Sequence, residues 1–215
     1  GGMSHVICMA SSNFCSAEKT FRMPVEQGGQ RPPTAQWTVT ASGALLISSE
    51  PGGPLITSVT IGKITDYDIT DSNNMGAAMA PAAAQTLCQY FADTGHKPED
   101  FDLILTGDLG SVGPRIVLEQ MRAQGIPLGD RYQDCGLLVY DVERQDMHAG
   151  GSGCGCSAVV LAGHVLRSMR EGRCSNVLLA GTGALMSPMS LQQGDAIVGI
   201  AHLVWLSADG GAGPS

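Results

Sequence analysis

Basic side chains are scarce in this sequence. The 215 residues contain 12 Lys and Arg against 20 Asp and Glu, which gives a formal net charge of −8. A surface that binds nucleic acid or an anionic membrane needs a basic stripe to contact phosphates, and none is visible. The composition therefore argues against a protein that binds nucleic acid or an anionic membrane. If the ligand is acidic, hydrogen-bond donors close to it would have to hold it.

Long apolar runs and aromatic residues are also lacking. No run reaches the roughly 20 residues of a transmembrane helix, and aromatic residues make up 5% of the chain. The 29 glycines are instead typical of a layered α/β protein in which helices approach a sheet closely. We expect a soluble chain.

Cysteines are present in an odd number, seven, and the sequence has no secretory features. Reduced thiols in a cytoplasmic setting are therefore expected. Cys8, Cys88 and Cys174 are interpreted as small core residues.

The residue patterns predict strands that alternate with helices. Two β runs, residues 36–48 and 55–67, follow a Gly- and Pro-rich connector and are expected to form a hairpin around the turn at residues 50–54. Pro81 implies a late start or a kink in the first long helix. The other predicted strands are residues 5–10, 101–105, 136–140, 176–180 and 199–206, with a loop at 181–188, and the predicted helices end near residues 94, 121 and 171.

The stretch around which the chain is organised is residues 149–157 (AGGSGCGCS), which lead directly into an apolar helical run. Such a backbone turns tightly and then starts a helix, whose first N–H groups suit an anion or a developing negative charge. The alternative is a loop that is small only so that its helix can lie close to a sheet. The candidate ligand-binding residues of this loop are Gly151, Ser152, Gly153, Cys154, Gly155 and Cys156.

Three further residues are candidates for ligand binding, each with a structural alternative. Thr106 and Asp108 follow a predicted buried strand, and Asp108 is either a polar site residue or a helix N-cap. His148 directly precedes the glycine loop, but a histidine in a polar connector is more often solvated. His202, among apolar neighbours, is interpreted as a core histidine.

The thiols of Cys154 and Cys156 allow several interpretations. A cysteine at a helix N-terminus has a lowered pKa and can act as a nucleophile. A metal site would need two more ligands, such as Cys135 and His148, and a lone Cys-x-Cys pair is a weak signal. A floor of small side chains under a narrow pocket is the simpler interpretation. The glycine spacing does not fit a dinucleotide-binding loop.

Four motifs give the chain a resemblance to known proteins. The order of elements, with residues 74–82 up to 100–104 and residues 153–157 through 178–183, resembles the C-terminal half of a thiolase-fold protein. Residues 74–84 (NMGAAMAPAAA), 105–110 (LTGDLG), 150–158 (GGSGCGCSA) and 200–202 (IAH) more closely resemble the stage V sporulation protein AD family.

This resemblance implies the fold and its division. We expect an α/β, thiolase-like fold whose C-terminal half is a mixed five-stranded sheet with helices on both faces. Residues 1–35 would be the end of the N-terminal half and a connector, residues 36–207 the C-terminal domain, and residues 208–215 a disordered tail. The nucleophile of the thiolase fold would then lie upstream of Gly1.

The resemblance also implies a function. The histidine of active thiolases falls near Gly150 or Gly151 here, and the later turn at residues 180–184 has no cysteine, so the second-half proton-transfer groups are missing. The implied role is a non-catalytic binder of dipicolinic acid, without cofactor or metal, that acts in uptake into the developing spore. Other proteins of the same sporulation transport system, and a second copy in a homodimer, are the implied partners. The implied location is cytoplasmic or peripheral at the inner membrane of the developing spore.

Two functions of other classes remain open at this stage. One is an acyl-CoA-dependent acyltransferase or ketoacyl synthase relative, which would depend on a thiol. The other is a scaffold for a membrane transport complex, whose partner binding would not depend on the glycine loop.

Overall fold

A computed structural model describes residues 3–16, 31–50 and 52–208. The strands are β1 (His5–Ser12), β2 (Trp37–Thr38), β3 (Ala41–Ser48), β4 (Leu55–Thr60), β5 (Leu103–Thr106), β6 (Tyr132–Asp134), β7 (Gly151–Ser152), β8 (Asn176–Leu185) and β9 (Val198–Ser207). The α-helices are α1 (Met75–Thr94), α2 (Gly113–Ala123), α3 (Cys135–Val139), α4 (Cys154–Val159), α5 (Leu166–Arg170) and α6 (Pro188–Gln193). A π-helical segment, Val160–Val165, connects α4 to α5.

A mixed five-stranded sheet is the centre of the fold, with the strand order β4-β9-β8-β5-β6. Strand β5 is parallel to β6 and β8, whereas β9 is antiparallel to both of its neighbours. Successive side chains of a strand point to opposite faces of a sheet. Ile104 therefore belongs to the apolar core beside α1 and α2, and Leu105 to the core beside α4 and α5. The predicted five-stranded sheet with helices on both faces is confirmed.

Helix α1 shows how the sequence positions one of these layers. The side chain of Asn74 accepts a hydrogen bond from the Ala77 N–H at 3.3 Å and caps the helix start. Gly95, at φ 74°, ends the helix in the left-handed conformation that glycine adopts without strain. The helix begins at Met75 and passes through Pro81, so of the two expected alternatives the late start is wrong.

Strands β1 and β3 form a separate antiparallel two-stranded sheet, called here the ribbon. The ribbon lies on α4, and two glycines allow the close approach. A Cβ on Gly155 would lie 2.4 Å from the Ala41 carbonyl oxygen, and one on Gly43 would lie 2.4 Å from the Ala158 carbonyl oxygen. Helix α4 is thus enclosed between the ribbon and the five-stranded sheet.

Several local predictions are wrong. The runs at residues 36–48 and 55–67 do not form a hairpin, because β3 pairs with β1 and β4 pairs with β9. Residues 136–140 are not a strand, since α3 begins at Cys135 and the strand before it ends at Asp134. The expected loop at 181–188 starts later, because β8 continues to Leu185.

Two predicted core residues lie elsewhere. Cys8 and His202 are exposed, whereas Cys88 and Cys174 are partly buried. His202 Nδ1 accepts a hydrogen bond from the Gly62 N–H at 3.1 Å at the edge of the sheet. The predicted tail lies outside the described residues from residue 209 onward. No helix in the described ranges is both long enough and apolar enough to span a membrane.

Candidate functional site

Asp108 is the residue at which the candidate site converges. It follows the carboxyl end of β5, and its side chain is almost fully buried. Its Oδ2 accepts hydrogen bonds from the Gly153 N–H at 2.7 Å and from Ser152 Oγ at 3.0 Å. Its Oδ1 accepts from Thr182 Oγ1 at 2.9 Å. One carboxylate therefore joins β5, the glycine loop and β8.

The N-cap prediction for Asp108 is wrong. Helix α2 begins at Gly113 after Val112, which makes no side-chain capping bond. The backbone N–H of Asp108 instead donates to Thr182 Oγ1 at 3.2 Å. The alternative interpretation, a polar residue of a ligand site, stays a prediction.

A second buried carboxylate, Asp134, fixes the loop that carries Asp108. It accepts four hydrogen bonds: from Thr106 Oγ1 at 2.7 Å, from the Leu109 and Gly110 N–H groups at 2.9 Å each, and from the Gly136 N–H at 3.0 Å. Thr106, a candidate ligand residue, is also within 2.9 Å of the Tyr132 hydroxyl. Thr106 therefore supports the loop from inside the core.

Burial raises the pKa of Asp134 to about 6, although its hydrogen-bond donors favour the charged form. In the unfolded chain the carboxyl has its ordinary pKa, so between about pH 4 and pH 6 the folded protein binds the extra proton. We expect the free energy of unfolding to fall as the pH rises through this window. Denaturant titrations at several pH values should show this fall in the wild type and a shallower one in Asp134→Asn, which lacks the titrating group. A wild-type slope equal to or shallower than that of the variant would contradict the expectation.

Gln36 ties a distant segment to the same place. Its Nε2 donates to the Asp108 and Gly151 carbonyl oxygens, both at 2.8 Å. Next to it, β2 pairs in parallel with β7 of the glycine loop. The side chain is buried, and its Oε1 has no hydrogen-bond partner among the described residues.

The glycine loop has the tight backbone that its composition predicts. Gly150 and Gly153 have φ angles of 96° and 104°, and His148 is a non-glycine residue at φ 46°. Two donors of the loop and its helix are already bonded within the chain, because the Gly153 N–H donates to Asp108 and the Gly155 N–H to Ser12 Oγ at 3.0 Å. The Gly153 N–H is therefore bonded to a carboxylate of the chain itself.

The remaining candidates lie around the loop with separate partners. His148 Nδ1 is 3.1 Å from the Pro32 carbonyl oxygen, and its Nε2 is 3.3 Å from Asp146 Oδ1. The exposed Cys154 thiol donates to the Ser11 carbonyl oxygen at 2.9 Å. Cys156 is buried, and burial raises the pKa of its thiol.

Sequence reasoning missed Gln36, Thr182 and Asp134 as parts of this site. Asp134 directly precedes Cys135, and an aspartate at this place is a helix-start signal that could have identified it as an N-cap. Gln36 has no comparable local signal. Among the described residues, no group of three or more His, Cys, Asp or Glu side chains is arranged to bind a metal.

Comparison with solved structures shows the fold. The tetronic acid condensing enzyme AbyA1 superposes with a TM-score of 0.55 at 11% identity, over 97% of this chain and 61% of that chain. FabH, the 3-oxoacyl-(acyl carrier protein) synthase III of Pseudomonas aeruginosa PAO1, gives 0.51 at 11% identity, over 95% and 58%. These likenesses confirm the predicted thiolase-like fold.

Sequence comparison shows the family. A profile of stage V sporulation protein AD matches residues 1–207. The stage V sporulation protein AD of Bacillus subtilis (strain 168) is 49% identical over 212 residues, which make up 99% of this chain and 62% of that protein. The chain thus spans about three fifths of the length of this curated relative. It belongs to the stage V sporulation protein AD family.

Proposed function

We propose that this sporulation protein is a non-catalytic binder of dipicolinic acid that takes part in uptake of the acid into the developing spore. Membership of the family supports a role in sporulation. The identity of the ligand is implied by the resemblance to the family. The hydrogen bonds of the glycine loop support the absence of turnover.

One observation supports the absence of catalysis: Asp108 accepts hydrogen bonds from two donors of the glycine loop. Acyl transfer through a tetrahedral intermediate needs donors aimed at the developing oxyanion. Here Ser152 Oγ, the Gly153 N–H and Thr182 Oγ1 already donate to a carboxylate. An oxyanion at this place would have to displace Asp108 and would be repelled by its charge.

The thiols and histidine beside the loop support the same conclusion. A thiol reacts as its thiolate, and burial raises the pKa of Cys135 and Cys156. The imidazole of His148 contacts Pro32 and Asp146. In the described part of the chain, no hydrogen bond joins a cysteine to a histidine, as nucleophilic catalysis by a thiol and its base would require.

Partners and location are part of the proposal on the strength of the resemblance alone. They are other proteins of the same sporulation transport system, a second copy of the chain, and a position in the cytoplasm or at the inner membrane of the developing spore.

Calorimetric titration of dipicolinate tests the proposed function, with acetyl-CoA as the comparison ligand. We expect dipicolinate to bind the chain saturably without turnover. We expect tighter binding after the chain is joined to the preceding segment of the family's proteins, because the resemblance places most ligand contacts there. Acetyl-CoA binding with acylation of a thiol, and no dipicolinate binding by either protein, would overturn the proposal in favour of an acyltransferase.

A further inference from the structure

A cleft of about 390 Å³ lies apart from the glycine loop, where the turns after α1 and α2 meet the segment that leads into β5. Asp108 follows the carboxyl end of β5, whereas this segment precedes the amino end of the same strand. The cleft and the glycine loop therefore lie beyond opposite ends of β5. The lining of the cleft includes Phe91, His96, Lys97, Pro98, Glu99 and Ile126.

The lining is mostly apolar and has little net charge. Phe91 and Pro98 are buried, and Ile126 is half-buried. Among the described residues that line the cleft, Lys97 and Glu99 carry fixed charges, which are of opposite sign, and both residues are exposed. An apolar cleft with a few polar groups is the usual form of a small-molecule site. Its charges favour a neutral ligand over a dianion.

His96 is the polar side chain that such a ligand would meet. The side chain is 9% exposed, and aromatic rings surround its imidazole. The imidazole centroid lies 5.0 Å from the ring centroid of Trp205, 5.7 Å from that of Phe101 and 6.2 Å from that of Tyr90. Because these rings fix the imidazole, the positions of its two nitrogen atoms are fixed as well.

Asp100 determines which imidazole nitrogen carries the proton. His96 Nδ1 is 3.2 Å from Asp100 Oδ2. The Lys97 N–H donates to the same oxygen at 2.8 Å and lowers the pKa of the Asp100 carboxyl, so the carboxylate is an acceptor at neutral pH. The proton is therefore on Nδ1, and Nε2 of the neutral imidazole is an acceptor. Nε2 has no hydrogen-bond partner among the described residues.

We propose that this cleft binds a small neutral phenol, whose hydroxyl donates to His96 Nε2 and whose ring packs against Phe91 and Ile126. A cavity of about 150 Å³ is enough to hold benzene, so the cleft has room for a substituted ring. Contact between aromatic rings is favourable beyond the area that it buries. This site is independent of the proposed function, because it lies at the other end of β5.

The test is titration of the chain with three neutral probes: 4-methylphenol, 4-methylanisole (the methyl ether, without the donor) and 4-methylcyclohexanol (without the aromatic ring). NMR of the two tryptophan indole signals follows binding, because Trp205 lies against His96 and Trp37 lies beside the glycine loop. We expect the Trp205 signal to shift and the Trp37 signal to stay. The phenol should bind about three- to tenfold more tightly than its ether, as one hydrogen bond provides, and more tightly than the cyclohexanol.

Two variants and a control identify the contact. His96→Phe keeps a ring but removes the acceptor, so the phenol and its ether should bind this variant equally. Ile126→Trp fills the cleft and should abolish binding of both. His164→Phe is the matched control, since His164 is exposed on the π-helical segment, and it should keep the wild-type preference for the phenol.

The contrary results each overturn a stated part of the inference. Equal binding of the phenol and its ether by the wild type, or a preference that persists in His96→Phe, would overturn the hydrogen bond to His96. A shift confined to the Trp37 signal, or unchanged binding by Ile126→Trp, would overturn the cleft as the site. Binding of the cyclohexanol as tight as that of the phenol would overturn the aromatic requirement, and binding of none of the three would overturn the whole inference. Dipicolinate binding is measured separately, so the proposed function stands or falls without these results.

Discussion

Replacing Asp134 with alanine is expected to lower the free energy of unfolding by about 3–5 kcal/mol. Asp134 is 1% exposed, and its carboxylate accepts four hydrogen bonds, one from a side-chain hydroxyl and three from backbone N–H groups. Alanine would leave those donors buried without an acceptor and would also open a small void. Denaturant unfolding near neutral pH, followed by circular dichroism, measures the loss.

Asp130→Ala is the control for this prediction. Asp130 is exposed in the short helical turn just before β6, so its replacement should change stability by about 0.5 kcal/mol or less. If Asp134→Ala cost no more than Asp130→Ala, the four hydrogen bonds would not be what holds the loop of Asp108 in place.

Replacing Gly155 with alanine is expected to destabilise the protein by about 1–3 kcal/mol through overpacking. The added Cβ would lie 2.4 Å from the Ala41 carbonyl oxygen and 2.7 Å from the Ser12 backbone nitrogen. Both of those atoms belong to the ribbon backbone, so the strands themselves would have to move away from α4. Thermal and denaturant unfolding of the variant measure the cost.

Gly163→Ala is the matched control, because Gly163 lies in the same helical run and a Cβ there would meet nothing within 4 Å. Alanine is the better helix former, so this variant should be more stable by about 0.5–1 kcal/mol. Equal effects at the two positions would show that the close contact between α4 and the ribbon does not constrain residue 155.

The fold was predictable where the sequence contains long, local signals. Asn74 and Gly95 mark the two ends of α1, and the glycine loop leads into its helix as expected. The residues of these motifs also resemble those of a known family, and the five-stranded sheet was predicted from that resemblance. A helix end needs only a few neighbouring residues to define it, which is why such signals are readable without the structure.

Strand partners and buried polar contacts were not predictable in the same way. The alternating pattern of residues 36–48 is compatible with any partner strand. Strand β3 pairs with β1, and the paired residues are between 29 positions (Ser12 and Ala41) and 43 positions (His5 and Ser48) apart along the chain. Short apolar runs such as residues 136–140 do not distinguish a strand from a helix. In this segment Asp134 caps the start of α3, and the residues after it form a helix.

The candidate site depends on contacts that are distant in sequence. Gln36 reaches Asp108 and Gly151, which are 72 and 115 positions away. The glycine loop and Asp108 were identified as candidates from their local patterns. Their connection through Thr182 and Gln36 exists only once the sheet has brought the four segments together.

The ribbon has a consequence for local unfolding. A two-stranded sheet is marginally stable by itself in water, and here its buried contacts come from α4 through Gly155 and Gly43. Ile7, Met9 and Leu46 on the ribbon are exposed. The amide protons of β1 and β3 therefore depend on α4 for protection from solvent exchange. We therefore expect the ribbon and the start of α4 to open as one cooperative unit while the five-stranded sheet remains folded, which native-state hydrogen exchange would detect.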